Sequence, residues 1–81
     1  MKYKKYKITW IDPTGDSGWH SAEEIDEFEC EDCVIEAYVY YKDKKTVKTF
    51  ASYSISKKGE MTFGDVNVLP TATIKSMKVI K

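Results

Sequence analysis

From Tyr3 to Asp12 the chain reads YKKYKITWID, with Tyr6, Ile8 and Trp10 alternating with Lys5, Lys7 and Thr9. A period of two in aromatic and β-branched residues predicts a strand with its Lys side in water. Pro13, Gly15, Asp16 and Gly18 then break the pattern. SAEEIDEF predicts one short helix over about residues 21–28, with Ser21 as N-cap and Glu24 completing a capping box. Acids crowd its first turn, where the helix dipole favours them. Alternation returns in CVIEAYVYYKD (33–43), where Cys33, Ile35, Ala37, Val39 and Tyr41 share the inward face. TVKTFASYSI (46–55) follows, with Val47, Thr49, Ala51, Tyr53 and Ile55 inward, and Asp43–Lys45 supply the hairpin loop. MTFGDVNVL predicts a fourth strand in which Gly64 marks a bulge, PTAT a 3-10 turn, and IKSMKVIK a last short strand.

The two central strands also fix a register. With Tyr41 opposite Val47, residue 39 faces 49, 37 faces 51 and 35 faces 53. The outward pairs are then Tyr38 with Phe50, Tyr40 with Lys48, and Glu36 with Ser52. A shift by one residue puts Lys48 inside, so this parity is favoured. Tyr38, Tyr40 and Phe50 are thereby expected together on the outer surface. Two readings of that cluster stand: the helix or the N-terminal segment folds over the rings, or they form an intermolecular face.

Five closely spaced strands with tight turns and one helix in the first long connection predict a mainly β fold. The expected architecture is a five-stranded half-open barrel forming a single domain over residues 1–81. Such a chain buries only about 60–65% of its unfolded surface, so its core is thin. GDVNVLPTATI resembles the stretch before the last strand of SH3-like barrels, which implies that fold. Thr73 stands where SH3 domains carry a peptide-binding Tyr, and no Trp lies near Val47, so proline-peptide binding is not implied. Sm-like barrels are similar in strand count, but their RNA-contact motifs are missing; only the shape carries over. Across the whole chain, TWIDPTGDSGW, CVIEAYVYY and VLPTATIKSMKVI resemble small uncharacterised proteins encoded by bacteriophages. That resemblance implies an accessory product acting in the host cytoplasm against a host defence or enzyme, and implies no reaction.

Charge changes the picture more than composition does. Thirteen Lys balance thirteen acids, yet ten of the acids fall in residues 12–41, where there is no Lys. Such a block is a solvated face or a surface that steers a basic partner and repels nucleic acid. The absence of Arg weakens bidentate phosphate or guanine recognition. MKYKKYKITW has no continuous apolar run, so neither a signal peptide nor a membrane contact is expected, and the expected location is cytoplasmic. There Cys30 and Cys33 are reduced.

Candidate chemistry is sparse. Cys30-Glu31-Asp32-Cys33 is a single C-x-x-C, and only His20 plus a carboxylate could complete a zinc site. Glu29, Glu31 and Asp32 raise the thiol pKa and so oppose redox chemistry. Catalysis would need His20 to pair with Asp12 or Asp16 and with Ser17 or Ser21, and no hydrolase or phosphate-loop motif supports that. DPTGD starts like a calcium loop but has Ser17 in place of the glycine at position six, so it reads as a turn. Trp10 belongs to the inward strand face. Trp19 either closes over the barrel end or stands exposed as a contact residue.

The leading expectation is therefore a non-enzymatic binding module that needs no metal or cofactor. It self-associates into a homo-oligomer and sequesters a host protein or a small nucleotide. The contact residues are Asp12, Asp16, Trp19 and His20 in the loop, with Tyr38, Tyr40, Lys48 and Phe50 on the sheet. The alternative is a single-stranded nucleic-acid binder in which Lys2, Lys4, Lys5 and Lys7 interleave with Tyr3 and Tyr6. Zero net charge and the acidic middle weigh against it.

Overall fold

The computed structural model describes all 81 residues. Strand β1 (Lys5–Asp12) is followed by helix α1 (Ala22–Asp26), strands β2 (Glu31–Lys42), β3 (Thr46–Ile55) and β4 (Met61–Pro70), a 3-10 turn (Thr71–Thr73) and strand β5 (Ile74–Val79). The strands form one antiparallel sheet in the order β4-β3-β2-β1-β5, so the fold is mainly β with the expected five strands. The capping box forms as predicted: Ser21 Oγ accepts from the Glu24 amide, and the Glu24 carboxylate accepts from the Ser21 amide. The helix is shorter than 21–28, because Glu27 already caps its end.

Strand β2 is shared between two neighbours. Its residues 31–38 pair with β1, and its residues 38–42 pair with β3. Tyr38↔Phe50 and Val39↔Thr49 match the predicted register. Beyond them a bulge between Val39 and Tyr41 puts Tyr41 opposite Lys48 and Lys42 opposite Val47. This corrects the expected 41–47 and 40–48 pairs, and it turns Tyr41 outward, exposed instead of core. The expected 37–51 and 35–53 pairs do not form, because β2 has by then turned away to β1.

That turn leaves the far half of the β3–β4 hairpin without a third strand. Every residue from Ala51 to Glu60 is exposed, so Ala51, Tyr53 and Ile55 are not core residues as their alternation suggests. The register between β3 and β4 continues without a shift through this arm. The irregularity falls at Asp65, one residue beyond the expected Gly64 bulge, where the backbone enters the left-handed region at φ 51°. Ser52 Oγ donates to Asp65 Oδ2 at 2.9 Å, and a Cβ on Gly64 would overlap that hydroxyl.

Six residues are buried: Ile8, Ala37, Val47, Thr49, Phe50 and Leu69. Cross-strand partners share a face, so Ile8, Ile35, Ala37, Val39, Thr49, Val47 and Leu69 line one side of the sheet. Phe50 follows Thr49 and points to the other side, yet it is only 1% exposed. The sheet is therefore covered on both faces at this point. The radius of gyration is 16.8 Å over extents of 59 × 24 × 22 Å. A compact chain of this length has about 12 Å. The accessible surface is 6608 Å², against about 5,000 Å² for a compact monomer of this mass. No helix is long and apolar enough to cross a membrane.

Candidate binding face

Phe50 is the floor of an aromatic cluster. Tyr38 stacks on it at 5.2 Å, Phe63 meets it edge-on at 4.8 Å, and Tyr3 meets it edge-on at 5.3 Å. Tyr3 is held there because the Lys4 carbonyl accepts from the Val39 amide and the Lys5 carbonyl from the Ile80 amide. The N-terminal segment thus folds over the rings, one of the two expected readings, and it corrects the picture of an exposed Phe50. Tyr40 remains 49% exposed, stacked on Tyr3 at 5.5 Å and edge-on to Phe63 at 5.1 Å. Tyr53 closes the far side, 5.9 Å from Tyr38.

Two concave features open on this face. Tyr40, Phe50, Phe63, Val66, Thr49 and Lys48 line a cleft of about 160 Å³. A groove of about 540 Å³ runs between the N-terminal segment and the arm, with Tyr3, Tyr53, Ile55, Met61, Phe63 and Lys2 along it. Ammonium groups sit over the rings: Lys2 on Tyr3 at 5.3 Å, Lys5 on Tyr38 at 5.8 Å and Lys48 on Tyr41 at 5.5 Å. A ligand of flat, apolar body and negative charge matches such walls and rim.

The loop residues sit in a separate constellation. Asp12 Oδ1 accepts from the Trp10 indole at 3.3 Å, which leaves Trp10 half-buried at the strand end. Asp16 Oδ1 accepts from the Gly18 amide at 2.8 Å and lies 3.4 Å from His20 Nε2. His20 Nδ1 lies 3.3 Å from Glu24 Oε2, and the ring meets Phe28 edge-on at 4.9 Å. These contacts hold the Asp16 and Glu24 carboxyls below the usual carboxylate range, through the Gly18 amide first at Asp16 and the Ser21 amide first at Glu24. Trp19 takes no part in this and is fully exposed, so it does not close over the barrel end. No hydrogen bond, ion pair or ring contact joins the loop to the aromatic cluster.

The cysteines are free thiols, Cys30 exposed and Cys33 half-buried. Desolvation pushes the Cys33 thiol pKa up, and Asp12, Glu31 and Asp32 push it further in the same direction. No three His, Cys, Asp or Glu side chains converge on a metal position.

Sequence reasoning placed Tyr38, Tyr40, Lys48 and Phe50 on one face, and the structure brings all four together there. It missed Phe63 and the structural role of Tyr3, and it assigned Tyr53 to the core. Phe50 and Tyr53 share a cluster despite opposite parity, and the left-handed Asp65 on the partner strand coincides with that break in alternation. A Gly-Asp pair inside a strand was the available signal. No protein-family model, no curated protein and no solved structure matches the chain.

Proposed function

We propose that the chain is a non-enzymatic binding module of the phage accessory kind, which works as a homo-oligomer in the host cytoplasm and sequesters a host component. The observation that carries this reading is the open aromatic face on a chain with about 1,600 Å² more surface than a compact monomer of its mass. Stable interfaces remove about 800 Å² per partner. The excess is about twice that, enough for each copy to offer two such faces. The cleft of Tyr40 and Phe63 over Phe50, with Lys48 at the rim, fits a small nucleotide or an acidic protein segment bearing an aromatic ring. His20 supports binding over catalysis, since two carboxylates hold it and Ser21 Oγ donates to Glu24 instead.

Native mass spectrometry of the purified chain, alone and with adenosine monophosphate, tests this. The expected spectrum is a discrete oligomer with nucleotide adducts that vanish in Tyr40→Ala/Phe63→Ala. A bare monomer with no adducts overturns the reading. A second reading, single-stranded nucleic-acid binding, draws on the three Lys–Tyr ring contacts. It requires an oligothymidine to bind with an affinity that falls by orders of magnitude between low and moderate salt.

A further inference from the structure

Two features of the surface are complementary. Trp19 stands fully exposed on the loop before α1, within the block of ten acids and no Lys that also holds half-exposed Ile25 and Phe28. The groove beside the arm is walled by Tyr3, Tyr53, Ile55, Met61 and Phe63. Its surroundings are basic on balance: Lys2 lies along it, and Lys57 and Lys58, with one acid, Glu60, occupy the arm's turn between Ile55 and Met61. One is an apolar knob in an acidic setting, the other an apolar hole in a basic one.

We infer that Trp19 of one copy inserts into the arm groove of a second copy, so that the chain assembles head to tail. This rests on the self-association proposed above and names its two surfaces. Three observations favour a second copy over other occupants. The charges that flank the two features, Asp16 and Glu23 against Lys2, Lys57 and Lys58, are opposite in sign. The surface excess of about 1,600 Å² also equals two standard faces of about 800 Å² each, one for the knob and one for the groove. Tryptophan is, finally, the residue most enriched at the energetic centre of interfaces, and a lone fully exposed one has no intramolecular role here. Because knob and groove are different patches of one chain, the contact is heterologous and closes into a ring if its rotation permits.

Mixing two variants in native mass spectrometry tests the inference. Trp19→Ala removes the knob and leaves the groove; Ile55→Glu blocks the groove and leaves the knob. Both sites are exposed, and circular dichroism checks that both variants fold. Each variant alone is expected to be monomeric, and the equimolar mixture is expected to yield a one-to-one dimer that grows no further. A Trp19→Ala chain that keeps the wild-type oligomer overturns this contact and leaves self-association standing. Two monomeric variants that stay monomeric when mixed also overturn it, since a two-fold contact behaves that way. A monomeric wild type overturns both this contact and the self-association on which it rests.

Discussion

Thr49 and Phe50 are neighbours on opposite faces of one strand, and both are buried. They carry opposite energetic signs. The Thr49 hydroxyl is enclosed without a hydrogen-bond partner, a state that costs about 1–3 kcal/mol. Thr49→Val keeps the shape, removes the orphan and suits a strand. It is expected to stabilise the fold by about 1 kcal/mol, raising the melting temperature by about 4–8 °C at matched protein concentration. An unchanged or lower melting temperature shows that the hydroxyl finds a partner in solution. Phe50→Ala does the opposite. It removes the floor on which Tyr3, Tyr38 and Phe63 rest, and such a deletion costs about 3–5 kcal/mol. That approaches the whole stability of a small domain, so loss of the near-ultraviolet dichroism of the rings at room temperature is expected.

At the scale of elements, the β2–β3 loop depends on one carboxylate. Asp43 Oδ1 accepts from the Lys45 and Thr46 amides, both at 2.8 Å, and Oδ2 accepts from Tyr41 Oη at 2.9 Å. The Asp43 carbonyl accepts from Thr71 Oγ1, which ties the loop to the 3-10 turn. The Thr46 and Lys45 amides, then Tyr41, hold the Asp43 carboxyl below its ordinary value. A lowered folded pKa means the charged form is favoured by folding, so this stability is present above the unfolded value and lost as pH falls through the folded one. Asp16 and Glu24 act in the same direction. The melting temperature is expected to be level near neutrality and to fall below about pH 4. Asp43→Asn is expected to lower it at pH 7 and flatten that acid slope; an equally steep slope places the acid sensitivity elsewhere. Tyr41 has the mirror-image sign. Its hydrogen bond to Asp43 and the carboxylate's charge raise its pKa, so its contribution holds below about pH 10 and is lost above. The polar Asp43–Lys45 loop was legible in the sequence, as were the strands, the capping box and the 3-10 turn, because each is set by near neighbours. The bulge after Val39 and the division of β2 between two partners were not, since period-two alternation records a face and says nothing of which strand lies alongside.

That division governs the shape of the whole molecule. Where β2 leaves β3, the hairpin has no third strand, and it carries Ile55 and Met61 past Tyr53 and Phe63, which still meet the aromatic cluster. The sequence marks all four as strand residues, which is correct, and assigns Tyr53 and Ile55 to the chain's own interior, which is not. Alternation cannot distinguish a face buried within one chain from a face buried between two. An isolated two-stranded hairpin is marginal in water, so the arm's order must depend on what lies against it. Hydrogen exchange of the assembled wild type and of the Trp19→Ala chain measures that dependence. In both proteins the amides around Ile8, Ala37, Thr49 and Phe50 are expected to exchange slowly, because opening them disrupts the shared core. Amides of residues 51–63 are expected to be protected in the assembled wild type and to exchange at least tenfold faster in Trp19→Ala, with the core unchanged. Equal, slow exchange of the arm in both chains means that it is stable by itself, and the surplus surface then needs another explanation. Fast exchange in both removes the arm from the interface. Only the selective loss ties the shape of this chain to its assembly.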